Sequence, residues 1–334
     1  MNATKTHKAP AIDTSELTVN PHLPDLSIVV PAHNEEGNIE QTINAIMSEV
    51  VRLNISTEII VVDDGSADAT FKTASNMGQH FPVSVLRLSR NFGKEHAISA
   101  GLSASTGNIV AIIDADLQEP ISYLEEMLGE LKNGYEMVYA VRGNRDDESV
   151  PKRLFTSAFY KLLSMGSDVV IPQDARDFRV MNRNVVDALC ALPERNRFMK
   201  GLYGWIGFKT KAVPIEMKQR TSGRSSFGFS ALFKLALTGI TSFTNFPLRV
   251  WTGVGSVLAI LSILYGLWIF AKTIIWGVDT PGFATITVAI FFLGGIQLIS
   301  IGVIGEYLAR VFTEVKGRPG FIVAEISRPE NQDD

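Results

Sequence analysis

Two long stretches without a charged residue constrain the fold of this chain more than any other feature. Residues 250–271 form one stretch of 22 residues, and residues 280–305 form a second of 26. A helix rises about 1.5 Å per residue, so each stretch is long enough to cross a hydrocarbon core roughly 30 Å thick. A buried helical hairpin in a soluble domain is the alternative. We predict two transmembrane helices.

The charges that flank these stretches predict the orientation of the hairpin. Arg249 precedes the first stretch, and Arg310, Lys316 and Arg318 follow the second. Positive charges concentrate on the cytoplasmic side of membrane proteins, so both chain ends are predicted to face the cytoplasm. Residues 1–25 contain no apolar segment typical of a signal peptide and are predicted to form a disordered tail.

The remaining sequence alternates between short apolar runs and amphipathic segments. Apolar runs of strand length lie near residues 26–30, 58–62, 83–88, 109–113 and 136–141. Segments with helical spacing separate them, which predicts an α/β fold with a doubly wound, mostly parallel sheet. The predicted organisation is a tail (1–25), an α/β catalytic domain (26–226), an interfacial juxtamembrane helix (227–249), a two-helix transmembrane hairpin (250–308) and a cytoplasmic C-terminal tail (309–334).

Composition and missing motifs exclude several classes of protein. The net charge of −4 gives no indication of nucleic-acid binding. The single cysteine, Cys190, excludes an internal disulfide and a cysteine-based zinc site. No GxGxxG motif opens the first predicted helix, and no Walker lysine motif occurs. These absences argue against a dinucleotide-dependent enzyme and against a P-loop ATPase.

Polar and acidic pairs follow three of the predicted strands. They are Asn34-Glu35, Asp63-Asp64 and Asp114-Asp116. The carboxyl ends of parallel strands meet at one edge of the sheet, where ligands bind. Asp114 and Asp116 alternate, so on an extended segment both carboxylates point to one side and suit Mg²⁺ or Mn²⁺. Each pair alone could cap a helix; together they indicate a site for a nucleotide diphosphate with a divalent ion.

These blocks resemble the signatures of family 2 glycosyltransferases with the GT-A fold. The blocks are VVPxxNE at residues 29–35, DDGS at 63–66 and DADLQ at 114–118. Three later blocks are similar to those of polyprenyl-phosphate glycosyltransferases, the group of bactoprenol glucosyltransferase and dolichol-phosphate mannose synthase. They are RDFR at 176–179, PERNRF at 193–198 and GEYLAR at 305–310. The resemblance covers the chain from roughly residue 26 to residue 319.

The resemblance implies roles for individual residues. The implied donor-binding set is Pro31, Asn34, Glu35, Asp63, Asp64, Lys94, Asp114, Ala115 and Asp116. Asp116 and Gln118 would hold the metal, and Asp114 and Asp177 are the implied catalytic residues. The implied acceptor-phosphate set is Arg179, Arg220, Arg224 and Ser225. We expect Asp177 to act as a base and an orienting group together. His33 is given no role.

The implied activity is the transfer of a single sugar from a nucleotide-sugar donor to a lipid. We expect glucose from UDP-glucose, undecaprenyl phosphate or a similar polyprenyl phosphate as acceptor, an inverting mechanism, and Mg²⁺ or Mn²⁺ as cofactor. The enzyme would lie in the bacterial cytoplasmic membrane, with the basic run 209–224 at the depth of the lipid headgroups.

Two other functions and the oligomeric state are left open. A processive polysaccharide synthase usually needs more spans and a QxxRW motif, which this sequence lacks. A non-enzymatic lipid carrier or flippase accessory would not need the acidic pairs. Gly294, Gly295 and Gly302 would permit close helix packing, which leaves a homo-oligomer open.

Overall fold

A computed structural model describes residues 23–143, 175–195, 197–217, 246–276 and 282–329. Nearly all of the predicted tail at 1–25 and of the predicted interfacial helix at 227–249 lies outside these residues. The same holds for Arg220, Arg224 and Ser225, three members of the predicted acceptor-phosphate set.

The described chain is built on one mixed sheet. Its strands are β1 (Leu26–Ala32), β2 (Thr57–Asp63), β3 (Val83–Leu88), β4 (Ile109–Ile112), β5 (Met137–Arg142), β6 (Ala175–Asn182), β7 (Thr210–Ile215) and β8 (Val323–Ser327). The strand order is β7-β5-β6-β4-β1-β2-β3-β8. β6 and β8 run antiparallel to their neighbours, and the other strands are mutually parallel. The predicted α/β sheet is therefore confirmed.

Eight helices are described. They are α1 (Ile39–Leu53), α2 (Thr70–Met77), α3 (Lys94–Ala104), α4 (Tyr123–Lys132), α5 (Arg183–Ala191), α6 (Met199–Trp205), α7 (Phe246–Trp276) and α8 (Phe283–Val315). Successive side chains of a strand point to opposite sides of the sheet. Helices pack on both sides, so the protein has two buried layers. Ile28 belongs to one buried layer with Ile43 of α1, and Val29 belongs to the other with Leu102 of α3.

A close contact between α3 and β1 gives a stability prediction. A Cβ atom on Gly101 would lie 2.2 Å from Cγ1 of Val29, whereas Gly129 of α4 has no atom within 4 Å of such a position. We expect Gly101→Ala to lower the free energy of unfolding by about 1–3 kcal/mol, since the buried layer must move apart. Gly129→Ala should raise it by about 0.5–1 kcal/mol through helix propensity. Thermal unfolding of the detergent-solubilised protein tests this pair, and shifts of the same sign would contradict it.

Three strands, β6, β7 and β8, were not predicted from the sequence. β6 lies in the middle of the sheet between β4 and β5, although its first residues are the polar segment RDFR. β7 pairs with β5 from Thr210 opposite Met137, so the basic residues near its start lie at the amino-terminal edge. There the ammonium groups of Lys209 and Lys211 are 4.7 and 5.5 Å from the ring of Tyr135. These two lysines are thus remote from the acidic pairs.

The C-terminal part also differs from the predicted tail. α8 continues to Val315, and β8 then adds to the edge of the sheet, antiparallel to β3. Within the described part of the chain, one helical segment, Phe292–Val315, is long and apolar enough to cross a membrane by length and composition. The apolar segment Gly253–Trp268 of α7 is shorter. The second span remains a prediction.

Candidate active site

A cavity of about 330 Å³ opens at the carboxyl edge of the sheet, where β1, β2 and β4 end and α3 begins. Its walls are formed by Pro31, Ala32, His33, Glu35, Asp64, Asn91, Gly93, Lys94, Ala97, Asp114, Ala115 and Asp116. Of the predicted donor-binding residues, all but Asn34 and Asp63 line it. The structure therefore brings residues from four separate loops to one place.

Asn34 shapes the cavity without lining it. Its backbone has a φ of 55°, a left-handed conformation that asparagine tolerates better than most residues. Its N–H donates to Oγ of Ser66 at 2.9 Å, and its Oδ1 accepts from the N–H of Ala67 at 2.9 Å. Asn34 thereby ties the loop after β1 to the loop after β2.

The two aspartates at the end of β2 are bonded to loop backbone. Asp63 is fully buried, and its Oδ1 accepts from the N–H of Ser66 at 3.0 Å. Asp64 is 3% exposed, and its two oxygens accept from the N–H groups of Phe92 and Gly93 at 2.7 and 2.8 Å. Both carboxylates therefore hold the loops that form the cavity wall. Asp64 also lines the cavity, whereas Asp63 does not.

His33 is a cavity residue that sequence reasoning missed. Its Nδ1 donates to the carbonyl oxygen of Asp64 at 2.9 Å, since a carbonyl only accepts. Its Nε2 then accepts from Nδ2 of Asn91 at 3.0 Å. His33 thereby links the loop after β1 to the loops after β2 and β3. The only sequence signal was its position between Pro31 and Asn34.

Lys94 joins the two carboxylates that the sequence predicted to be catalytic. Its Nζ lies 2.7 Å from Oδ1 of Asp114 and 2.5 Å from Oδ2 of Asp177. Asp114 follows β4, whereas Asp177 lies near the start of β6. Because β6 is antiparallel to β4, the start of one strand and the end of the other share an edge. We call these two ion pairs, Asp114–Lys94–Asp177, the Lys94 bridge. The sequence predicted each of the three residues separately but not the contacts between them.

The bridge governs the protonation of the site. Burial raises the pKa of Asp177, but the positive charges of Lys94 and Lys200 outweigh it and lower the pKa to about 2. Burial lowers the pKa of Lys94, but Asp114 and Asp177 outweigh it and raise the pKa above its ordinary value. Burial also raises the pKa of Asp114, against the opposing effect of Lys94. Asp177 is therefore an ionised carboxylate at neutral pH.

Two further acids lie behind this bridge. Glu119 is 3% exposed and accepts from Nε of Arg176 at 3.1 Å. Burial and the charges of Asp114 and Asp177 raise the pKa of Glu119 to about 7. Glu95 accepts from the N–H of Met199 at 3.0 Å, at the start of α6. Burial, with the charge of Asp177, raises the pKa of Glu95 to about 7.

Arg179, a member of the predicted acceptor-phosphate set, is almost fully buried. It is 2% exposed, and its guanidinium carbon lies 3.9 Å from the ring centroid of Tyr203 and 5.1 Å from that of Tyr139. A side chain enclosed between two aromatic rings presents almost no surface to a phosphate. The structure therefore gives Arg179 a buried position behind Asp177.

The segment after β4 offers limited protein ligands to a metal ion. Oδ1 of Asp116 accepts from the N–H of Gln118 at 3.2 Å, and Leu117 between them has a φ of 54°. Gln118 does not line the cavity. Among the described residues, no group of three histidine, cysteine or acidic side chains could hold a metal. Mg²⁺ is commonly held by one or two carboxylates plus substrate phosphates, and Asp116 fits such a shared site.

The chain is similar to known proteins over most of its length. The model of Glycosyl transferase family 2 matches residues 27–190, and that of the GtrB C-terminal hairpin matches residues 246–311. An uncharacterized glycosyltransferase of Synechocystis sp. is 45% identical over 303 residues, which are 90% of this chain and 95% of the relative. The SfII prophage-derived bactoprenol glucosyl transferase of Shigella flexneri is 41% identical over 304 residues, or 91% of this chain and 98% of the relative. Among solved structures, mannosyl-3-phosphoglycerate synthase from Rubrobacter xylanophilus has a TM-score of 0.47 at 21% identity, covering 70% of this chain and 75% of that one.

Proposed function

The chain belongs to glycosyl transferase family 2 and is a glycosyltransferase, and from this we propose that it transfers one glucose from UDP-glucose to a polyprenyl phosphate such as undecaprenyl phosphate. The observation that carries the proposal is the contact of one ammonium group, on Lys94, with both Asp114 and Asp177. A carboxylate that we propose to face the donor and one that we propose to face the acceptor are thereby adjacent. The similarity to bactoprenol glucosyl transferases supports the sugar and the lipid.

The donor is proposed to occupy the cavity, with its base and ribose against the loops after β1 and β2. The diphosphate would lie toward Lys94 and Asp116, at the end of the cavity that also contains Asp114. A diphosphate next to several carboxylates needs positive charge, because like charges in a partly dry site repel strongly. Lys94 supplies one such charge from the protein.

A divalent ion, Mg²⁺ or Mn²⁺, is proposed to supply the remaining charge. Asp116 would be its main protein ligand, and a contribution from Gln118 is a proposal that requires its side chain to reach the cavity. Bound there, the ion would stabilise the negative charge of the departing diphosphate. The donor set of carboxylate and phosphate oxygens suits either hard cation.

The acceptor phosphate is proposed to approach from the side of Asp177. One phosphate oxygen would form a bond to the anomeric carbon as the bond from that carbon to the diphosphate breaks, in line and with inversion. Asp177 would hold Lys94 in place between the two phosphates rather than take up a proton, since its pKa is about 2. Arg220, Arg224 and Ser225 remain proposed ligands of the acceptor.

The apolar segment Phe292–Val315 and the similarity to bactoprenol-acting enzymes suggest membrane association. We propose that α7 and α8 both cross the bacterial cytoplasmic membrane and that the catalytic domain and both termini face the cytoplasm. This arrangement would place the site beside its nucleotide donor. It would also place the site beside the phosphate of a lipid whose chain lies in the bilayer.

A thiol-labelling experiment tests this orientation. We expect Asp279→Cys, in the segment that connects α7 to α8, to react with a membrane-impermeant thiol reagent in intact cells. The exposed native Cys190 of the catalytic domain is the internal control and should react only after permeabilisation. Labelling of Cys190 in intact cells, with residue 279 protected, would invert the topology.

The proposed activity is tested with the purified full chain in detergent. Undecaprenyl phosphate is supplied with a panel of UDP- and GDP-sugars, and both nucleotide release and lipid-linked product are measured. We expect one hexose per lipid and turnover mainly with UDP-glucose. Products with several sugars would indicate a processive synthase. Lipid binding without nucleotide release would indicate a non-enzymatic carrier, and either result would reject the proposal.

A further inference from the structure

The C-terminal strand β8 lies against the part of the sheet that leads into the donor cavity. It pairs antiparallel with β3, with Arg87 opposite Glu325 and Leu88 opposite Val323. The N–H of Ser89, the first residue after β3, donates to the carbonyl oxygen of Ile322 at 2.9 Å. β8 and the residue before it are therefore hydrogen-bonded to the chain where it leaves β3 for the cavity wall.

Arg87 connects β8 to the buried aspartate at the end of β2. Its Nε lies 3.5 Å from Oδ2 of Asp63, and its Nη1 lies 3.7 Å from Oε2 of Glu325. Its guanidinium carbon is 5.2 Å from the ring centroid of Phe71. Oδ2 of Asp63 is buried and accepts no hydrogen bond from the described residues. Arg87 is thus the cation that neutralises this carboxylate.

The loop that follows Ser89 packs directly on the turn after β2. A Cβ atom on Gly65, whose φ is 63°, would lie 2.4 Å from the carbonyl carbon of Arg90. The same loop ends at Phe92 and Gly93, whose N–H groups donate to Asp64. Asp63, the turn after β2 and the loop 89–93 therefore form one packed unit, and Arg87 and β8 contact it from outside the cavity.

The chain that leads from α8 into β8 is bonded to Arg195. Both carboxylate oxygens of Glu314, in the last turn of α8, accept from the N–H of Arg195 at 3.0 and 3.1 Å. The guanidinium of Arg195 donates to the carbonyl oxygens of Arg318 and Gly317 at 2.6 and 3.0 Å. The segment between α8 and β8 is thereby held against the catalytic domain.

We propose that β8 is a positioning element of the donor site, in which Glu325 orients Arg87, and Arg87 sets Asp63 and the adjoining cavity walls. This inference rests on the proposed function in one respect, that the cavity binds a nucleotide diphosphate. Neither Arg87 nor Glu325 lines the cavity, so both would act on the donor through other residues. Their substitution changes the affinity for the nucleotide through the loop after β3, and the donor KM rises while kcat changes little.

The test is a double-mutant cycle on the full-length protein, with UDP as the probe. We expect Arg87→Gln to raise the Kd for UDP about tenfold, because a buried carboxylate loses its counter-charge. Glu325→Gln, which removes a longer and more exposed contact, should raise it about twofold to fivefold. In the Arg87→Gln background, Glu325→Gln should have almost no further effect, since the two act in series.

Arg52→Gln is the matched control. Arg52 also pairs with two glutamates, Glu49 and Glu125, at 2.7 and 2.6 Å, but it lies at the end of α1, away from the cavity. Its substitution should leave the Kd for UDP unchanged. Fully additive effects of Arg87→Gln and Glu325→Gln, or a Kd for Arg87→Gln equal to that of Arg52→Gln, would overturn the inference.

Hydrogen exchange of the ligand-free protein gives a second readout that does not depend on activity. The peptide covering residues 89–93 should exchange faster in Glu325→Gln than in wild type or Arg52→Gln, and this variant keeps Arg87 in place if Arg87→Gln does not fold. Unchanged exchange there would count against the inference. If the cycle and the exchange behave as expected but no sugar reaches the lipid phosphate, the proposed function fails and the positioning role stands.

Discussion

Asp177→Asn is expected to lower kcat by a factor of about 10² to 10³, while the Kd for UDP-glucose stays within about twofold of wild type. Asparagine preserves the shape of the side chain but removes the charge that holds Lys94, whose Nζ is 2.5 Å away. Lys94 would then remain with Asp114 alone, and the position of the cation between the reacting groups would be lost. Single-turnover kinetics with bound UDP-glucose separate this defect from weaker donor binding.

The pH dependence of this variant distinguishes an orienting role from a basic one. The second pKa of a phosphate monoester is about 6, whereas that of Asp177 is about 2 because Lys94 and Lys200 outweigh its burial. Proton transfer from the acceptor to Asp177 is therefore unfavourable, and the residue remains ionised over the working range. We expect the defect of Asp177→Asn to be the same at pH 6 and pH 8. Recovery of kcat at the higher pH would instead restore the role of a base.

The same pKa fixes the sign of a stability effect. A carboxyl group whose pKa is lower in the folded protein contributes stability above its unfolded pKa, and this contribution disappears as the pH falls through the folded value. For Asp177 the loss occurs between its ordinary value of 3.8 and about 2. Asp187→Asn is a suitable control for the pH dependence of kcat and for that of the free energy of unfolding. Asp187 is 66% exposed and pairs only distantly with Arg183, at 3.8 Å.

Asp116→Asn is expected to lower kcat by about 10³ or more, a barrier increase of several kcal/mol. The substitution weakens the proposed metal site, so the charge of the departing diphosphate is no longer balanced. Chelation of divalent ions should inactivate the wild-type enzyme to a similar extent, and Mg²⁺ or Mn²⁺ should restore it. Electron paramagnetic resonance of Mn²⁺ in the presence of UDP provides a readout independent of turnover.

Glu126→Gln is the control for that experiment, because Glu126 is an exposed acid of α4. It should bind Mn²⁺ and turn over as wild type does. Full wild-type turnover in excess chelator would reject the metal assignment. Normal Mn²⁺ binding by Asp116→Asn would move the proposed ligand to another residue.

Many of the residues that line the cavity could be predicted because their sequence signals are local. Ile39, Ile43, Ile46 and Val50 keep helical spacing, and all four are buried in α1. The polar residues that line the cavity directly follow apolar runs, and parallel strands bring such positions to one edge. Loop contacts were harder to predict, since the hydrogen bond from His33 to Asp64 joins residues 31 apart in the chain.

The surroundings of Asp177 were predicted less well because they depend on tertiary contacts. Lys94 and Asp177 are 83 residues apart, and only the antiparallel insertion of β6 brings them together. Asp177 and Arg179 are two residues apart on one strand, so both point to the same face, but Arg179 lies about 7 Å deeper. A motif in the sequence does not distinguish the residue at the edge from the one buried behind it.

The short connection between α8 and β8 limits how far the catalytic sheet can move from a membrane that holds α8. Seven residues, 316–322, separate the two elements, and a fully extended chain of that length spans at most about 25 Å. The enzyme would then meet its lipid acceptor by diffusion in the plane of the bilayer. Its rate would follow the mole fraction of polyprenyl phosphate in the membrane, and diluting the vesicles at constant lipid composition would leave that rate unchanged.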